Sequence, residues 1–142
     1  MPEIDEIRIL LRRELLEYLL ADGFTVLAAK DTDGYVEPVP EHNDGYGDQA
    51  DKSPDVLAYD PREKRRIFGI VRTGVNDLES EGSLTEYNVF LDQTDKMTGD
   101  PCRLYIIIPP SKIQDLTALM THYIHRDYWF KIVLVSSTRI NG

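Results

Sequence analysis

Apolar residues recur at three- and four-residue steps at the start of the chain. Ile4, Ile7, Leu11, Leu15 and Tyr18 form one stripe, and Leu10, Leu16, Leu19 and Leu20 widen it. This period predicts a helix over 3–21, with Gly23 where a closing glycine sits. The stripe is broad for a helix lying on one surface. It either packs against a sheet and a second helix, or part of it meets a partner subunit in a homodimer. The pattern then shortens. Phe24–Ala29 is nearly continuous in apolarity and reads as a strand, and Asp31-Thr32-Asp33-Gly34 as a turn. Residues 37–53 carry Pro38, Pro40, Gly45, Gly47 and five acids, Glu37, Glu41, Asp44, Asp48 and Asp51. A loop this long is either functional or disordered, and mobility is expected here.

Two apolar runs follow, Val56–Tyr59 and a second ending at Thr73. Asp60-Pro61-Arg62-Glu63 has the chemistry of a tight connection, so strands at 56–59 and 66–73 should pair as an antiparallel hairpin. Ser83-Leu84-Thr85-Glu86 reads as a capping box, opening a helix with Leu84, Tyr87, Phe90 and Leu91 on one face. Thr94–Pro101 is loop. Arg103–Ile108 is a strand apolar on both faces, as a central strand would be. Pro109-Pro110 ends it. Ser111 is the expected cap of a helix carrying Ile113, Leu116, Met120, Tyr123 and Ile124. Trp129–Ser136 is a last strand. The predicted order is α-β-β-β-α-β-α-β.

The chain has 142 residues, 42% apolar and 29% charged, which fits a single globular domain over 1–142. No apolar run approaches the ~20 residues that span a bilayer, so no membrane partner is expected. The acidic start, Pro2-Glu3-Ile4-Asp5-Glu6, is wrong for a secretory or transit signal. One cysteine, Cys102, cannot form an internal disulfide, and a cytoplasmic location is expected. The formal charge of −9 repels a polyanion and disfavours nucleic acid as a partner without excluding local basic patches.

Pro54-Asp55 opens the second strand, and Ile70-Val71-Arg72 followed by Thr73-Gly74 closes the third. With the element order, these residues resemble the restriction-endonuclease-like superfamily, the PD-(D/E)xK nucleases. The resemblance implies an α/β body of three layers with a mixed central sheet flanked by helices. It covers residues 3–108 as core, with the last helix and strand as a common extension. The family holds a divalent ion, usually magnesium, between carboxylates. On this chain Asp55 matches the first acid. Ile70 falls where the second acid would stand, and it offers no oxygen. Arg72 replaces the lysine; it can stabilise an anion but stays protonated.

The resemblance therefore implies a degenerate site. The leading expectation is a catalytically inactive nuclease-fold domain acting in binding or assembly, without a cofactor. The alternative is a magnesium-dependent nuclease or phosphodiesterase. It would use Asp55 with a relocated acid such as Glu79 as metal ligands, and Arg72 as electrostatic stabiliser. Other acids within reach of relocation are Asp77, Glu81, Glu86, Glu14 and Glu17. Each also has an ordinary reading: Glu86 in the capping box, Asp77, Glu79 and Glu81 as solvated loop acids, Glu14 and Glu17 on a polar helix face beside Arg12 and Arg13. Asp55 could equally accept from turn amides. Asp31–Gly34 lacks the later ligands of a calcium loop. His122 and His125 lack a third zinc ligand. Arg62, Lys64, Arg65 and Arg66 read as a solvated turn rather than a phosphate clamp.

Overall fold

The computed structural model describes residues 3–140; the first two and last two residues of the expected 1–142 domain lie outside them. The fold is mixed α/β, built on an open five-stranded sheet. Helix α1 spans Ile4–Ala21, β1 Thr25–Ala29, β2 Val56–Asp60, β3 Arg65–Val71, α2 Glu81–Asp92, β4 Arg103–Ile108, α3 Ile113–Tyr123 and β5 Ile132–Ser136. The strands lie in chain order, β1-β2-β3-β4-β5. β2 is antiparallel to both neighbours, while β3, β4 and β5 run parallel. Among the described residues no helix is long and apolar enough to cross a membrane.

Alternation along β3 sends its side chains into two cores. Ile67 and Val71 join Leu11, Leu15 and Leu19 of α1 on one face. Phe68 and Ile70 join Tyr87, Phe90, Leu104, Leu116 and Met120 beneath α2 and α3 on the other. β4 is buried on both faces, as its apolar run predicts. Gly69 lets α1 approach the sheet closely: a Cβ there would stand 2.9 Å from Leu15 Cδ2. α1 ends at Gly23, which takes φ +88° while the Phe24 amide donates to Leu19 O.

Several expected details are corrected. The cap of α2 is Ser80, whose hydroxyl accepts from the Ser83 amide at 3.2 Å. Ser83 lies inside the helix and donates its own hydroxyl to Asp77 O at 2.6 Å. Glu86 is thereby released from any capping role. The chain enters α3 through a 3-10 turn, Pro110–Lys112. Trp129–Lys131 belong to a second such turn, Arg126–Lys131, so β5 starts only at Ile132. Here Trp129 donates its indole N–H to Ile124 O, a bond that a strand starting at Trp129 would lack.

The 37–53 segment is folded around Asn43. Its amide group donates to Tyr46 O and Ala50 O, and its Oδ1 accepts from the Gly45 and Tyr46 amides. Glu41 and Lys52 close the base through paired backbone bonds. Arg66 Nη1, 2.9 Å from Glu41, ties it to β3.

Candidate functional site

Asp55 stands one residue before β2, where the β2–β3 ladder runs out. Its backbone N–H donates to Gly69 O at 2.9 Å, and its C=O accepts from the Lys30 amide at 2.8 Å. Its side chain continues the ladder: Oδ2 accepts from the Val71 amide at 3.1 Å. Oδ1 accepts from Arg12 Nε at 3.2 Å. Arg12 comes from the middle of α1 and keeps only 12% of its side chain exposed, against 17% for Asp55. Burial on this scale strengthens the attraction between the two charges and makes leaving either one unpaired costly.

Arg72 follows β3 directly. Its Nε donates to Tyr87 Oη at 3.0 Å, Nη1 to Val71 O at 3.0 Å and Nη2 to Glu86 Oε1 at 3.2 Å. The guanidinium also lies 5.0 Å from the centre of the Tyr87 ring. Burial works against its charge, but the Glu86 carboxylate and the Tyr87 hydroxyl outweigh burial and hold its pKa above the ordinary value. Tyr87 in turn donates to Leu78 O at 2.8 Å. Burial, only partly offset by Arg72, raises the phenol pKa.

Asp55 and Arg72 line one cleft of about 380 Å³ between α1 and the C-terminal end of β3. Arg8, Arg12, Lys30 and Arg72 face Asp5, Asp31, Asp55 and Glu86 across it. The formal charges cancel, unlike a carboxylate nest awaiting a cation. The apolar lining at the end of β3 is Val71. Ile70, the residue expected to displace a metal ligand, points into the opposite core. Among the described residues, no three His, Cys, Asp or Glu side chains gather as a metal-holding group.

Glu79 lies elsewhere. It is exposed on the 75–80 turn, in shallow recesses with Leu78. There its carboxylate lies near Tyr123 and pushes the phenol's pKa up. Asp77 is buried, not solvated. It accepts from Thr73 N at 2.7 Å, Thr73 Oγ1 at 2.9 Å and Gly74 N at 2.9 Å, clamping the turn after β3. Glu14 is buried too, facing the chain after β5. It accepts from Ser137 Oγ at 2.6 Å and Thr138 N at 2.8 Å. Desolvation would raise its pKa, but these bonds and Arg139 win and lower it. Glu17 pairs with Arg139 at the surface.

The other candidates take ordinary roles. His125 Nδ1 accepts from the Asp127 amide and caps the second 3-10 turn. His122 packs edge-on against Tyr123. Arg62 reaches Asp60 and Asp22 O, and Arg65 reaches Pro101 O. Arg12 and Tyr87 are the site residues that sequence reasoning missed, while Glu86 stood among the relocation candidates with capping as its ordinary reading. Arg12 carried no signal beyond its place on a polar helix face, and Glu86 was hidden behind a false cap. Comparisons with protein families, with curated proteins and with solved structures return no match.

Proposed function

We propose that this chain is a restriction-endonuclease-like domain that binds or assembles and does not cut. The resemblance draws support from the element order, from a sheet in chain order with β2 reversed, and from Pro54-Asp55 at the head of β2. One observation carries the functional half of the reading: both Asp55 oxygens are engaged inside the protein, one by Arg12 and one by the Val71 amide. An ion at Asp55 would sit beside the Arg12 guanidinium. At ~4 Å and an effective dielectric near 20, a divalent cation meets a repulsion of roughly 8 kcal/mol there. At that distance the repulsion matches the attraction of one carboxylate, so Arg12 offsets what Asp55 would offer an ion. Tyr87, Val71 and Glu86 take three of the five N–H donors of Arg72, one on each nitrogen, and the buried guanidinium is already paired with the Glu86 carboxylate, which leaves it little to offer a phosphate.

Calorimetric titration with magnesium and manganese tests this reading. The expected result is no saturable heat from the parent chain or from Asp55→Ala. Saturable binding that Asp55→Ala abolishes overturns it in favour of the magnesium-dependent nuclease or phosphodiesterase. The second acid would then be Glu86, which shares the cleft, rather than Glu79.

A further inference from the structure

One wall of the Asp55 cleft is a single face of α1. Asp5, Arg8, Ile9 and Arg12 recur at three- and four-residue steps, which stacks them along that wall. Lys30 and Asp31 line the same cleft from the end of β1. Their backbones are fixed there: the Lys30 amide donates to Asp55 O and the Asp31 amide to Glu37 Oε2, both at 2.8 Å.

The charges on these walls are not all spent inside the protein. Asp55 is paired with Arg12 and Glu86 with Arg72. Among the described residues, Lys30 Nζ and the carboxylates of Asp5 and Asp31 have no partner. Arg8 reaches out of the cleft to Asp77 through Nη2 at 3.5 Å, and its Nε is buried without an acceptor. Arg12 is the clearest case. Its side chain is mostly buried and one bond from Nε holds it on Asp55, while neither Nη nitrogen meets an acceptor among the described residues. That leaves a planar fork with both prongs free, the geometry that grips a carboxylate. Donors set this deep without an acceptor are uncommon in folded proteins and call for an occupant.

We propose that the cleft binds a small zwitterion of the amino-acid type, with its carboxylate on the Nη fork of Arg12 and on Lys30, and its ammonium group on Asp5 and Asp31. Charge decides between ligand classes. A divalent cation at Asp55 meets Arg12. A phosphate dianion meets the carboxylates of Asp5, Asp31, Asp55 and Glu86, on a chain whose formal charge is −9. A zwitterion adds no net charge to a cleft whose own charges cancel, and it answers unpaired groups of both signs. Ile9 and Val71 supply apolar contact for the carbons between its ends. A volume of about 380 Å³ has room for a molecule of that size. The proposal rests on the binding half of the proposed function.

Titration of the full chain with glycine, γ-aminobutyrate and ε-aminocaproate, followed by amide NMR in the presence of EDTA, provides the test. The three probes carry the same two charges at increasing separation. The expected result is saturable binding of at least one of them, with shifts at the Arg8, Arg12, Lys30 and Asp31 amides. Butyrate, butylammonium and inorganic phosphate, each charged with one sign only, should bind about tenfold more weakly or worse. Lys30→Met and Asp31→Asn change exposed side chains outside the tie between Arg12 and Asp55. Asparagine also tolerates the φ of +48° at Asp31. Each variant should weaken the zwitterion by about tenfold, and Asp31→Asn should narrow its advantage over butyrate. Circular dichroism checks that both fold, and the comparison of probes on the parent chain decides by itself if either does not. Three results overturn the proposal: no saturable shift with any of the three zwitterions, butyrate or phosphate binding as tightly as they do, or binding that the folded variants retain in full. EDTA keeps metal ions out, so failure here is separable from failure of the metal-free reading, which the magnesium titration decides.

Discussion

Arg12 on α1 and Asp55 at the head of β2 meet through one hydrogen bond of 3.2 Å, closing the floor of the cleft. Forty-three positions separate them in the chain. The aspartate also completes the β3 ladder at Val71. The pair is thus a structural tie as well as the feature that sets the chemistry of the cleft.

Replacing Asp55 by alanine leaves Arg12 part-buried without its partner and Val71 N–H without an acceptor. The expected loss is about 2–3 kcal/mol in urea unfolding. The sign matters more than the size. A working metal ligand held against neighbouring acids commonly stabilises the fold when removed. A more stable Asp55→Ala protein would contradict a tie between Arg12 and the β3 ladder.

Arg72→Lys moves the chain toward the nuclease pattern but should damage it. A lysine has no fork to span Tyr87 Oη, Val71 O and Glu86 at once. The expected cost is about 2–4 kcal/mol, because polar groups around a buried site lose their partner. Tyr87→Phe should cost less, about 1–2 kcal/mol, for the two bonds its hydroxyl makes. Equilibrium denaturation of both variants gives the comparison.

Glu14→Gln tests the tie between α1 and the chain after β5. The folded pKa of Glu14 is depressed below its ordinary 4.5, so its stabilising contribution is fully present above that value. It is lost as pH falls through the lower folded value. The parent should therefore exceed the variant by about 1–3 kcal/mol near neutrality. The gap should close in acid, as denaturation curves at several pH values would show.

Gly69→Val places carbon where Leu15 already sits, 2.9 Å from the new Cβ. Leu15 is fully buried and has little room to yield. Overpacking of about 1–3 kcal/mol is expected, visible as a lower melting temperature.

Ser80→Ala and Ser83→Ala separate the true helix cap from the apparent one. Ser80→Ala should cost about 1 kcal/mol through lost capping and lower the helicity of α2. Ser83→Ala should act through its buried bond to Asp77 O, leaving the helix start intact. Amide exchange at residues 81–84 discriminates the two.

Local pattern alone was enough to place the elements. The three- and four-residue period of α1, the double-sided apolarity of Arg103–Ile108 and the glycine at 23 act through neighbours in the chain. Each is legible before any long-range contact exists. The same holds for the hairpin of β2 and β3, whose turn chemistry lies between them. Boundaries failed where two local signals competed: Ser80 and Ser83 both offer a hydroxyl to a helix start, and only the packing of Tyr87 and Phe90 decides which turn comes first. Trp129 reads as strand on its own, but its bond to Ile124 O puts it in a turn.

The charged side chains show the complementary limit. Asp55, Glu14, Asp77 and Glu86 look alike in sequence as acids with no fixed partner. Asp55 meets a helix 43 positions away and Glu14 a turn 124 positions away, while Asp77 folds over its own turn. A carboxylate takes its meaning from whichever donors reach it, and donors from distant elements arrive only when the sheet has stacked its layers. Sequence by itself determined the periodicities, and so the helices and strands, because those rest on backbone geometry and burial repeating at short range. The tertiary structure decided which acids are ties and which cleft they face, because those depend on Coulomb and hydrogen-bond partners that the chain order does not bring together.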